Sequence, residues 1–155
     1  KYHFIKRRKL IILGASDIGK TTLLHLLAGL LKPVTGKIYM NEVALNSLKN
    51  NKIDTFRGKN IGLVFQKKHA IQSLNVYNNL KARLLFSNAL VNDKKIEILL
   101  AQLGLSDLKT NKVSELSEGQ LPRLGIALSV MHNPQVILAD EPTSSLDDKH
   151  CKIVI

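Results

Sequence analysis

Cysteine is nearly absent. The single Cys151 among 155 residues cannot form an internal disulfide framework and fits a reducing compartment as an inert thiol. Long apolar runs are absent too: no stretch approaches the ~20 residues that cross a bilayer as a helix. The opening KYHFIKRRKLIIL sets basic residues before an apolar stretch, as a signal peptide does. Gly14, Asp17 and Lys20 interrupt it and no small-residue cleavage site follows, so the sequence argues against that role. Acids are scarce, 12 against 23 Lys and Arg, giving a net charge of +11 that would suit nucleic acid, a ribosome or anionic lipid. The lysines are scattered, however, through IKRRK, QKKH and NDKK, with few aromatics between them. That is the pattern of an ordinary solvated surface, and no nucleic-acid partner is expected. Internal repeats and low-complexity segments are also lacking.

What is present is one domain's worth of chain, 45% apolar and 23% charged, the balance of a globular protein with a real core. It starts at Lys1 and stops in CKIVI, an apolar run like the beginning of a strand, and is expected to be a fragment. Three short β-branched runs read as buried strands: KLIIL (9–13), NIGLVF (60–65) and QVILAD (135–140). Helical patterns lie between them, over 20–31, 75–88, 92–103 and 118–131. In the third, Ile96, Leu99, Leu100 and Leu103 share a face and Gly104 is a natural stop. VTGKIYMN (34–41) reads as a turn into a short strand. Strands alternating with helices predict an α/β fold with a parallel sheet core flanked by helices. The stretch 68–115 has no strand signal and is expected to be a small helical subdomain inserted between 1–67 and 116–155.

GASDIGKT (14–21) matches G-x-x-x-x-G-K-[ST] between an expected strand and an expected helix, the context that gives this pattern its meaning as a phosphate loop. Gly14 and Gly19 let the backbone turn so that successive N–H groups point at phosphate oxygens, and the helix opening near Lys20 adds its positive end. Lys20 is placed to reach the β- and γ-phosphates, and the Thr21 hydroxyl to ligate Mg²⁺. The candidate nucleotide contacts are thus Gly14, Ala15, Ser16, Asp17, Ile18, Gly19, Lys20, Thr21 and Thr22. Asp17 is the anomaly, an acid inside a cradle for anions. Aspartate tolerates a left-handed backbone, so the loop can form, with nucleotide affinity expected to be weakened.

VILADEPTSSLD sets Asp140 and Glu141 at the end of a strand, at the carboxyl edge where α/β sheets bind ligands. Asp140 can hold Mg²⁺ there, and Glu141 can act as the base that polarises a water. Two acids can also merely close a strand before the Pro142 turn; a phosphate loop in the same chain favours the chemical reading.

With these residues in order, LSEGQ (116–120) and the VFQ ending at Gln66 make the chain resemble the nucleotide-binding domain of ATP-binding cassette (ABC) transporters. The match runs over essentially the whole length, and GLVFQ, NVYNNL and LADEPTSSLDD look closest to the cassettes of lipoprotein-release, macrolide-export and cell-division systems. The resemblance implies a P-loop NTPase fold, ATP and Mg²⁺ as ligands, and an ATPase in which Glu141, Lys20 and Gln66 are catalytic. It implies Thr21, Gln66 and Asp140 at the metal. It also implies a homodimer or paired cassette arranged head to tail, with Ser117, Gly119 and Gln120 on the nucleotide held by the partner and Asp147 at the contact between protomers. An integral membrane permease would be the other partner, with the cassette cytoplasmic and peripheral on the inner face of the membrane.

Several positions depart from the family pattern. Glu118 stands where the signature usually has glycine, and Pro122 where glutamine is common; proline is tolerated in a first helical turn. The switch histidine that follows a later strand has no counterpart, and His150 lies too close to the SSLD stretch to serve. Tyr2 and Phe4 are weak candidates for the adenine-stacking aromatic. NKID (51–54) imitates a guanine-reading motif but follows no strand and is read as chance. A transport ATPase is the leading expectation. The alternatives are a cassette acting on ribosome or DNA, and a degenerate cassette that binds ATP weakly without turnover.

Overall fold

The computed structural model describes residues 9–15, 17–65 and 70–142. Helix α1 (Lys20–Leu27) leads to a hairpin of β1 (Tyr39–Met40) and β2 (Val43–Ala44), then α2 (Asn50–Asn60) and β3 (Ile61–Val64). Three helices follow, α3 (Val76–Phe86), α4 (Asp93–Gln102) and α5 (Gln120–Val130), before β4 (Val136–Ala139). β3 and β4 pair in parallel, Ile61 opposite Val136 and Val64 opposite Ala139, while β1 and β2 pair antiparallel. Parallel neighbours require a long crossover, and α3, α4 and α5 supply it.

The core lies in that crossover. Leu80 and Leu84 of α3, Ile96 and Leu100 of α4, and Leu124, Ala127 and Met131 of α5 and its end are buried in one apolar cluster. The caps are local and legible: the Asn75 side chain accepts from Asn78 N at the start of α3, and Asn92 accepts from Lys95 N at the start of α4. Gly104, at φ +62, ends α4 with the two bonds of a Schellman turn, Gly104 N to Ala101 O at 3.1 Å and Leu105 N to Leu100 O at 2.8 Å. The buried Asn79 on α3 is fully engaged. Its Nδ2 donates to the carbonyls of Ile71, Leu74 and Asn75, and its Oδ1 accepts from Ile71 N at 2.7 Å.

Close approach fixes α5 on β3. A Cβ on Gly62 would stand 2.3 Å from the Ser129 carbonyl, so only glycine admits the helix at this distance. Arg83 reaches across the same seam, donating through Nε to Leu128 O and through Nη2 to Ile61 O, both at 3.3 Å. Its Nη2 also lies 2.9 Å from His132 Nε2, which in turn lies 3.2 Å from Ile61 O. The other ring nitrogen, Nδ1, is buried without a hydrogen-bond partner. Burial first, and the Arg83 guanidinium second, push the His132 pKa down to about 4.

The structure departs from the sequence expectations at four places. Residues 9–13 form no strand: Leu10, Ile11 and Leu13 are exposed, because β-branched runs become strands only where a ladder accepts them, and none of the described strands pairs with this run. The first helix ends at Leu27, not 31, where Gly29 takes φ +66 and lies against Ile53 of α2. Helix α2 was not expected at all. Its composition is polar, with Asn, Thr and Gly disfavouring a helix interior, and it buries no residue fully. Half-buried Ile53, Phe56, Arg57 and Asn60 nonetheless recur at helical spacing, and NKID falls inside it. β4 also alternates half-buried and exposed residues instead of being buried on both faces.

Candidate functional site

The phosphate loop folds as a left-handed turn. Asp17 takes φ 63 and Gly19 φ 95, flanking the exposed Ile18. Both positions tolerate this for the reasons given by sequence, aspartate by its short polar side chain and glycine by its missing Cβ. A Cβ on Gly14 would press the Ile18 side chain at 3.1 Å, so the two ends of the loop close on each other. Gly19 then opens α1 with no side-chain cap, leaving the first-turn N–H groups facing the loop, the arrangement that attracts anions. The Lys20 ammonium curls back into the turn and donates to the carbonyls of Gly14 at 2.8 Å and Ala15 at 2.6 Å. Thr22 is exposed on the first turn of α1.

The acidic end of β4 meets that helix. Asp140 N donates to Val64 O at 2.8 Å, extending the parallel ladder one residue past β4 and fixing Asp140 at the carboxyl edge. Its Oδ2 accepts from Thr21 Oγ1 at 2.6 Å, across 119 residues of sequence. A hydroxyl and a carboxylate oxygen side by side are hard donors of the kind that Mg²⁺ prefers, so these residues fit that ion. Glu141 is exposed and left-handed at φ 48, a strained conformation for a non-glycine residue of the sort kept at functional positions.

The signature stretch opens α5. Ser117 O accepts from Gln120 N at 3.0 Å and Leu121 N at 3.1 Å, while Gln120 Oε1 reaches back to Ser117 N at 2.8 Å. This is half of a capping box, with the Gln120 amide doing the reciprocal part. The exposed Ser117 hydroxyl is not consumed by it. Gly119 has open space where a Cβ would stand, Glu118 is exposed beside it, and Pro122 lies in the first turn, where its missing N–H costs no helical bond.

The structure therefore brings Lys20, Thr21, Asp140 and Glu141 to one edge and places Ser117, Gly119 and Gln120 at the separate N-terminal end of α5. Ser16 and Gln66, with Tyr2, Phe4, Asp147, His150 and Cys151, lie outside the described residues. Sequence reasoning passed over His25, whose ring meets Phe65 edge-on with centroids 4.9 Å apart, joining α1 to the end of β3. The available signal was its spacing, four residues after Thr21 on the same helical face. Among the described residues no helix is long and apolar enough to cross a membrane.

The chain is similar to several ATP-binding cassette proteins. The chain is 38% identical over 146 residues to the lipoprotein-releasing system ATP-binding protein LolD of Buchnera aphidicola subsp. Acyrthosiphon pisum (strain APS), covering 92% of this chain and 64% of that one. It is 36% identical over 149 residues to the cell division ATP-binding protein FtsE of Escherichia coli (strain K12), covering 95% and 67%. Its fold matches a dimeric ATP-binding cassette in a post-hydrolysis state, bound to ADP and phosphate, with a TM-score of 0.81 at 31% identity over 88% of this chain and 61% of that one. The chain thus spans a little under two thirds of several of the proteins it matches. The ABC transporter family profile matches residues 2–144, and the chain belongs to that family.

Proposed function

We propose that this chain is the ATP-hydrolysing engine of a membrane transporter, acting as one of two cassettes that close on ATP and separate after hydrolysis. The observation that carries this reading is the Thr21–Asp140 contact, which puts a helix-opening hydroxyl and a strand-end carboxylate in one place, beside the loop lysine. The names of its relatives, a lipoprotein-releasing system and a cell division ATP-binding protein, support a transporter setting. Residues 1–67 and 116–155 would form the nucleotide-binding core, 68–115 the helical subdomain, and a permease would dock from the membrane.

In this reading Lys20 leaves the Gly14 and Ala15 carbonyls to bind the β- and γ-phosphates, and the loop N–H groups hold the remaining oxygens. Thr21 and Asp140 would hold Mg²⁺, which would supply positive charge against the phosphates. Glu141 orients a water in line with the γ-phosphorus and accepts its proton as the O–P bond forms, while the β–γ bridging bond breaks to release ADP. Gln66, by the family resemblance, would respond to that water and to the ion. Ser117, Gly119 and Gln120 complete the site from the facing protomer, which is why two copies are needed, arranged head to tail.

Single-turnover ATP hydrolysis by the full-length protein tests this, compared with Glu141→Gln. The expected result is a loss of at least about a hundredfold in the variant, the scale of a general base. Equal rates would remove Glu141 as the base and favour a cassette that binds without turning over.

A further inference from the structure

We propose that Arg123 is a positioning residue that ties the signature turn to the end of α4, fixing where Ser117 and Gly119 are presented to the nucleotide of a facing protomer. The inference rests on the reading above, in which those two residues act in trans.

The Schellman turn at Gly104 satisfies the carbonyls of Leu100 and Ala101, and it leaves those of Leu103 and Gly104 pointing off the helix end. Arg123 takes both: its Nη1 donates to Leu103 O at 2.9 Å and to Gly104 O at 3.1 Å. From the same plane, Nε donates to Gly119 O at 3.1 Å. One guanidinium therefore bridges the C-terminus of α4 and the residue before α5. A cation is favoured there by the negative end of the α4 dipole.

Two features say that the sequence accommodates this contact. A Cβ at Gly104 would stand 2.9 Å from Arg123 Nη1, so glycine serves the left-handed cap and also leaves room for the arginine. The signature turn is otherwise braced from within its own first turn, by Gln120 Oε1 on Ser117 N and by Ser117 O on Gln120 N and Leu121 N. Those bonds set the turn's shape. The Arg123 fork sets its place relative to α4, and α4 is anchored by buried Ile96 and Leu100. Lysine cannot reproduce this, since an ammonium is a point donor and not a planar fork.

The experiment uses full-length protein in a Glu141→Gln background, where bound ATP persists, and adds Arg123→Gln or Arg123→Lys. Three quantities are read: ATP-driven dimerisation by sedimentation, MgATP affinity of the dilute monomer, and melting temperature. Arg123→Gln should weaken dimerisation about tenfold or more while monomer affinity stays within about twofold, since the clamp does not touch the phosphate loop of its own chain. Arg123→Lys should recover only part of the loss. Dimers as tight in Arg123→Gln as in its parent overturn the clamp and leave the reading of the site intact. A parallel fall in melting temperature, monomer affinity and dimerisation makes Arg123 general fold support and also overturns it. If the Glu141→Gln parent itself forms no ATP-dependent dimer, the trans reading of Ser117 and Gly119 fails and the clamp with it.

Discussion

Thr21 and Asp140 share one hydrogen bond of 2.6 Å, and through it the first turn of α1 touches the end of the strand that α5 precedes. The hydroxyl donates and the carboxylate accepts, so two hard oxygen atoms stand side by side, and in the proposed reading they would serve together as Mg²⁺ ligands.

Removing one member should therefore separate metal dependence from nucleotide binding. In Asp140→Asn, affinity for ATP measured in EDTA should hold, while the gain normally given by Mg²⁺ should fall about tenfold, the weight of one charged oxygen ligand. Thr21→Ser, which keeps the hydroxyl, should behave as the parent. Titration of a fluorescent ATP analogue with and without Mg²⁺ reads both.

Asp17 holds a left-handed backbone that glycine adopts equally well, so replacing it changes charge and little else in the fold. A carboxylate about 7 Å from a phosphate repels it by about 0.6 kcal/mol per charge at the dielectric of water and about four times that at an effective 20. Asp17→Gly should bind ATP about tenfold more tightly, with the difference shrinking at high salt. The same titration at two ionic strengths checks it, and unchanged affinity would mean that the side chain points wholly into solvent.

The layout of the candidate site was legible in the sequence because it depends on residues fixed by local geometry. Lys20, Thr21, Asp17 and Gly19 sit in one turn, and Asp140 follows a strand whose β-branched run announces it. The starts of α3 and α4, at Asn75 and Asn92, were readable for the same reason. What was not legible depends on partners distant in sequence. Leu10, Ile11 and Leu13 have the composition of a strand but no ladder among the described residues, and α2 owes its helix to packing of Ile53 against Gly29 more than to propensity. The Arg123 bonds to Leu103 and Gly104 are of this second kind, invisible until the two helices are brought together.

His132 makes stability depend on acid. Its folded pKa, about 4, lies below the ordinary 6.5, so the unfolded chain binds the proton more readily. The contribution is present in full above pH 6.5 and is lost as pH falls towards 4, about 3 kcal/mol over that window by the usual conversion. Urea unfolding of the full-length protein between pH 7 and 4 should show this decline, and His132→Gln should flatten it by that amount.

Gly62 admits α5 to β3. In Gly62→Ala the new methyl must displace the Ser129 carbonyl, and the protein should lose about 1–3 kcal/mol, the range for overpacking a tight interior. The urea midpoint measures it. Ser129 is itself buried, with its Oγ donating to Ile126 O at 2.8 Å, so the helix has little freedom to step aside.

Asn79 gives the loop that opens the crossover an unusual clock. The Ile71 amide belongs to no helix or strand, yet it donates to the Asn79 Oδ1 at 2.7 Å, and that side chain is buried beside Leu80. Its proton can exchange with deuterium only when α3 lets go, so this loop amide should trade places with solvent at the slow pace of the core helices. Asn79→Ala should return it to the fast regime of an ordinary loop. Isotope exchange at one position thus times the opening of a segment that sequence alone would call free.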